Sequence, residues 1–177
     1  MDVVDRSNRP DVLGGLNPAL RVPTLVLDDG RPLAESNAII WHFGEGTSFI
    51  PADAYERAQV LQWMFFEQYD LEPSIAVVRF WVAYSGRAEQ FAGRLPERLE
   101  AGRRTLAALD RHLDGRRYIV GDSLTLADIA LYGYTHVAHE CDFELDAFPA
   151  IRAWLNRIVD QPSHVPMDWH PAAEAVE

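Results

Sequence analysis

The sequence contains no lysine. All 16 basic residues are arginine, set against 27 Asp and Glu, for a formal net charge of −11. The shortage of positive charge is even: residues 1–85 carry 6 Arg and 12 acids, residues 86–177 carry 10 Arg and 15 acids. With no basic face, phosphate-backbone binding loses its main driving force, which argues against nucleic acid and anionic membrane as partners. A small anion is not excluded, because local donors decide that. Cysteine is nearly absent too. Cys141 stands alone, so an internal disulfide and a Cys-based zinc cluster are ruled out. That usage fits a reducing cytosol, and a cytoplasmic location is expected. No apolar run approaches the length needed to span a bilayer, and Met1–Asp5 lacks the pattern of a secretory signal. Repeats at solenoid spacing and low-complexity tracts are also missing. What is present is ordinary globular composition: 177 residues, 48% apolar and 24% charged. A chain of this size can bury about two-thirds of its unfolded surface, as one large domain or two small ones.

The pattern changes near residues 44–53. Before that point it is short, turn-rich and strand-like. Asp2–Asp5 reads as a very short strand, and 6–17 as loop with one helical turn. Val22–Leu27 is a β-branched run ending at Asp29-Gly30, a strong hairpin signal, with Arg31–Ala34 returning. Ser36 is the expected N-cap of a short helix, Asn37–Phe43, ended by Gly44 and Gly46. Beyond the linker the pattern is helical. Asp53–Tyr84 is rich in aromatics and apolar on several faces, as a buried helix is, and Pro73 should kink or break it. Phe91, Leu95, Leu99, Gly102, Leu106, Leu109 and Leu113 form one helical stripe, tightest from Pro96 on. Thr125 followed by Asp128 makes a capping-box arrangement, and Leu124 with Ile129 the matching hydrophobic staple. That helix should run to about His139, and a last one from Ala147 to Val159.

Two segments carry a resemblance. Residues 17–39 (NPALRVPTLVLDDGRPLAESNAI) and 121–129 (GDSLTLADI) stand in order, about 90 residues apart, with an aromatic helical region between them. The first resembles the glutathione-binding half of a cytosolic glutathione transferase. The second resembles the capping box of the same family's helical domain. In detail the sequence is most similar to bacterial, beta-like members. The resemblance implies an α+β two-domain fold: a thioredoxin-like N-terminal domain over 1–46 and an all-helical C-terminal domain over 47–177. It also assigns roles. Val22, preceding a cis Pro23, would bind the cysteinyl backbone, and Glu35 and Ser36 the γ-glutamyl end.

Elementary chemistry fits these roles. A Val-Pro strand start offers a main-chain N–H and C=O to an extended peptide. Ser36 at a helix start can donate to a carboxylate with the helix dipole assisting, and Glu35 can pair with an amine. The chain departs from the family pattern at its start. Met1 aligns with the second strand, so the first strand and helix are expected to be missing. The thiol-activating residue would lie upstream, and none is assigned here.

Other residues receive structural readings. Thr125 and Asp128 start a helix. The aromatics are mostly core, with Tyr69 a candidate for a hydrophobic substrate pocket. His136, His139, Glu140 and Cys141 lie close together but have no evident fourth ligand, so no metal is expected. The function implied is conjugation of glutathione, as cosubstrate, to a small hydrophobic electrophile by a homodimer. The alternatives are a non-catalytic module of the same fold and a glutathione-dependent disulfide reductase or peroxidase.

Overall fold

The structure is a computed structural model that describes residues 7–86 and 88–169. The strand expected at Asp2–Asp5 lies outside the described residues. Helix α1 (Arg9–Leu13) begins with Pro10 in its first turn, where the missing N–H has no intrahelical partner to lose. The loop that follows is organised by the buried Asn17. Its Nδ2 donates to the Arg21 carbonyl at 3.0 Å and to Thr24 Oγ1 at 3.1 Å, and its Oδ1 accepts from Ala19 N–H. Strands β1 (Thr24–Val26) and β2 (Pro32–Ala34) pair antiparallel with Leu25 opposite Leu33. Gly30 takes φ of 84° in the connecting turn, the left-handed geometry for which glycine is favoured. The strands are shorter than the apolar run predicted. Val22 and Pro23 lie before the ladder, across a cis peptide bond.

Helix α2 (Ser36–Gly44) corrects the expected cap. Glu35, not Ser36, is the N-cap residue; it makes no side-chain capping bond, and Ser36 is already helical. Gly44 ends α2 where a side chain would press on Leu126. Asp53 caps α3 (Ala54–Phe66), its Oδ1 accepting from the N–H groups of Tyr55 and Glu56. The chain then continues through wide π-turns (Glu67–Ala76), a short α4 (Val77–Arg79) and further wide turns (Phe80–Tyr84). Pro73 therefore does not break the rod. The wide turns absorb its ring and its missing N–H within a continuous helical path.

The leucine stripe divides into α5 (Ala88–Phe91) and α6 (Leu95–Leu113). Phe91 leaves the stripe to stack on Trp81, ring centroids 4.4 Å apart. Helix α7 (Leu126–Thr135) and α8 (Pro149–Val159) follow, separated by 3-10 turns at Ala138–Cys141 and Leu145–Ala147. The core is a single cluster around Trp154, with Leu71, Ile75, Leu106, Leu109, Leu131 and Ile151 fully buried. Gly102 lies against the Phe143 ring, with no room for a Cβ, which lets α6 pack closely. The α/β portion is joined to this body by Asn37 of α2, whose side chain bonds the chain at Met64 and Glu67, and the connecting segment is held by the Leu126 N–H donating to the Phe49 carbonyl at 3.0 Å. The result is a short sheet followed by a helical domain. Among the described residues no helix is long and apolar enough to cross a membrane.

Candidate functional site

The loop before β1 and the start of α2 converge on a polar pocket of about 130 Å³. Arg21, Val22, Pro23, Glu35 and Ser36 line one side of it, and Gln68, Glu72 and Tyr134 the other. Four of the residues singled out in the sequence, Val22, Pro23, Glu35 and Ser36, are thus brought together. Val22 is half exposed. Among the described residues its main-chain N–H and C=O, the Glu35 carboxylate and the Ser36 hydroxyl have no hydrogen-bond partner. The Asn17 bonds hold the loop that presents Val22. Glu35 has φ of 69°, a left-handed conformation that costs a non-glycine residue about 1–3 kcal/mol and that clusters at functional sites.

Directly behind this start lies a buried network that sequence reasoning missed. Asn37 Nδ2 donates to Glu67 Oε2 at 2.9 Å and to the Met64 carbonyl at 3.1 Å. Gln68 Nε2 reaches the same Glu67 oxygen at 2.8 Å. Glu67 is 3% exposed. Burial pushes its carboxyl above the usual range, with the two amide donors opposing and Glu72 adding to the rise. Tyr134 was also missed. Burial raises its phenol, and the nearby charges of Glu72 and Glu67 raise it further. The only local signals for these were the Asn following Glu-Ser and the i,i+4 spacing of Gln68 and Glu72, which sets both on one face.

Tyr69 is not part of this pocket. It is 84% exposed and borders a separate groove with Arg98 and Thr105, since the residue after Gln68 points to another side of the helix. A larger apolar cavity of about 630 Å³ lies between α2 and α3, lined mainly by Trp41, Leu61, Met64 and Phe65, and it shares Glu35 and Gln68 with the polar pocket.

Thr125 and Asp128 are buried at the start of α7. The capping-box pairing is formed: Asp128 Oδ2 accepts from the Thr125 N–H at 2.9 Å and its hydroxyl at 3.0 Å. Oδ1 accepts from the Ile119 N–H and from Trp154 Nε1, each at 2.9 Å. Burial pushes this carboxyl upward and the four donors oppose it.

The His-Glu-Cys segment is engaged elsewhere. His136 Nδ1 bonds the Tyr132 carbonyl, His139 Nδ1 bonds the His136 carbonyl, and Glu140 pairs with Arg79 at 2.7 Å. Cys141 is fully buried, its thiol pushed up to about 11 chiefly by that burial. Among the described residues no group of three or more His, Cys, Asp or Glu is placed to hold a metal ion.

Comparison with known proteins agrees with this architecture. Residues 1–45 match the family model of the glutathione S-transferase N-terminal domain, and residues 75–162 that of the C-terminal domain. A solved structure described as a possible glutathione S-transferase from Rhodopseudomonas palustris is 47% identical, with a TM-score of 0.87. The match covers 93% of this chain and 74% of that one. A glutathione S-transferase-like protein of Fusarium sp. is 30% identical over 153 residues, 81% of this chain and 68% of the relative. Elongation factor 1-gamma of Artemia salina is 34% identical over 144 residues, 78% of this chain and 33% of the relative. The chain thus spans about two-thirds of the first curated relative and one-third of the second. By two family models in the family's own order and by these likenesses, the chain belongs to the glutathione S-transferase family.

Proposed function

We propose that the chain binds glutathione in the polar pocket and conjugates its thiolate to small hydrophobic electrophiles. The observation that carries this reading is the convergence of unpartnered groups of Val22, Glu35 and Ser36 on one pocket. The Val22 main chain takes the cysteinyl backbone as an added strand would. Glu35 pairs with the γ-glutamyl amine, and Ser36 at the start of α2 donates to the γ-glutamyl carboxylate. In the reaction the sulfur lone pair forms a bond to the electrophilic carbon, and a leaving group departs with its electron pair. Glutathione is the cosubstrate and no metal takes part. Residues 1–46 form the binding domain and 47–177 the helical domain. A second copy of the chain covers the apolar cavity between α2 and α3, where Phe65 is 67% exposed. Because that cavity shares Glu35 and Gln68 with the pocket, the homodimer interface borders the site. The cytoplasm is the compartment this chemistry fits, since glutathione is reduced there.

The elongation-factor relative favours a second reading, a non-catalytic binding module on the same scaffold. Calorimetric titration with glutathione, followed by turnover of an aryl halide, separates the two. Saturable binding that weakens about tenfold in Ser36→Ala, the worth of one charge-assisted hydrogen bond, together with turnover, supports the transferase. Binding without turnover supports the module. A folded chain that fails to bind glutathione refutes the pocket assignment itself.

A further inference from the structure

A groove of about 670 Å³ lies between the C-terminal end of α6, the turn after it and α8, and shares no lining residue with the polar pocket. Four arginines line it: Arg111, Arg116, Arg117 and Arg157. The only acids in its wall are Asp110 and Asp114. In a chain of net charge −11, this concave patch carries a local excess of positive charge.

The charges are also unmatched. The ion pairs among the described residues engage Arg31, Arg57, Arg79, Arg104 and Arg152. None of the four groove arginines enters one. Asp110 is occupied as a structural acceptor, its Oδ1 taking the Ile151 N–H at 2.9 Å. Two of the arginines are held in place. Arg157 donates to the Arg117 carbonyl at 2.6 Å, and both guanidinium groups lie 5.9 Å from the centre of the buried Tyr118 ring. Two guanidinium groups held near one ring repel each other, and an anion bound beside them would relieve that repulsion. Pro149, Ala150, Ala153 and Gly115 complete the wall with groups that carry no charge.

We propose that this groove is a binding site for a small molecule bearing a phosphate or diphosphate group. Guanidinium forks match phosphate oxygens two at a time and desolvate more readily than an ammonium. The volume falls in the range of small-molecule sites. The inference goes beyond the glutathione reading and does not depend on it.

The test is calorimetric titration of the full chain with pyrophosphate at 0.15 M salt. The variants are Arg111→Gln/Arg116→Gln, which removes two cations that have no ion-pair partner among the described residues, and Arg103→Gln, an exposed arginine of α6 outside the groove. The expected result is saturable binding with Kd below about 1 mM, weakened at least about tenfold in the double variant and unchanged in Arg103→Gln, with identical circular dichroism. Three results overturn the proposal. These are no saturable binding of pyrophosphate, wild-type affinity in the double variant, or an equal loss in Arg103→Gln, which would mark diffuse attraction to surface charge.

Discussion

Removing the Asp128 carboxylate tests the structural account most directly. The residue is 0% exposed and accepts from Ile119 N–H, Thr125 N–H, Thr125 Oγ1 and Trp154 Nε1. In Asp128→Ala the Thr125 hydroxyl can rotate to another acceptor, but the two backbone N–H groups and the indole N–H are fixed by their elements. Each stranded buried donor costs about 1–3 kcal/mol. Relief of the desolvation that pushes this carboxyl upward offsets part of that, leaving a net loss of about 3–5 kcal/mol. That is a large share of a typical domain's stability. Asp128→Asn keeps an acceptor for Ile119 and Trp154 but turns a donor toward the Thr125 N–H, so it should lose about 1–3 kcal/mol. Urea unfolding followed by circular dichroism gives both values from the shift in midpoint at constant slope. In a thermal scan the alanine variant should melt roughly 10 °C lower. A loss below about 1 kcal/mol in Asp128→Ala, or a greater loss in Asp128→Asn, would refute the view that these four bonds hold the start of α7 against α8.

Two further outcomes follow from buried titratable groups. Glu67 ionises above its ordinary value of 4.5 in the folded chain, so its contribution to stability is full below that value and is lost as pH rises through the raised folded pKa. Glu67→Gln removes the titration. The stability of the wild type relative to this variant should therefore fall as pH rises from about 4 to 7, by about 1.4 kcal/mol for each unit of upward shift; a flat or rising difference counts against it. Cys141, fully buried with its thiol at about 11, should resist a thiol reagent at pH 8 in the native chain and react with one equivalent in denaturant. Rapid labelling of the native chain would contradict the packing described.

The features legible in the residues alone are those decided within a few positions along the chain. Asp29-Gly30 turns because glycine takes a positive φ where a side chain would strain. Thr125 and Asp128 cap because three residues is the reach of a side chain to the first free N–H groups of a helix. The α6 stripe follows from helical period, and the Val-Pro and Glu-Ser segments mark the family from sequence. Tertiary structure decided the rest. Local preference assigns the cap of α2 to Ser36, yet in the folded chain Glu35 stands there in a left-handed conformation. Pro73 should break a helix by local rules, but the surrounding helices hold a widened path through it. The Asn37–Glu67 bond joins residues 30 apart, and the Asp128–Trp154 bond joins residues 26 apart. Gln68, Glu72 and Tyr134 face the pocket while Tyr69 faces away, and four arginines that enter no ion pair among the described residues line one groove. Periodicity can say that a residue lies on a face, but only the packing of one element against another says what that face meets.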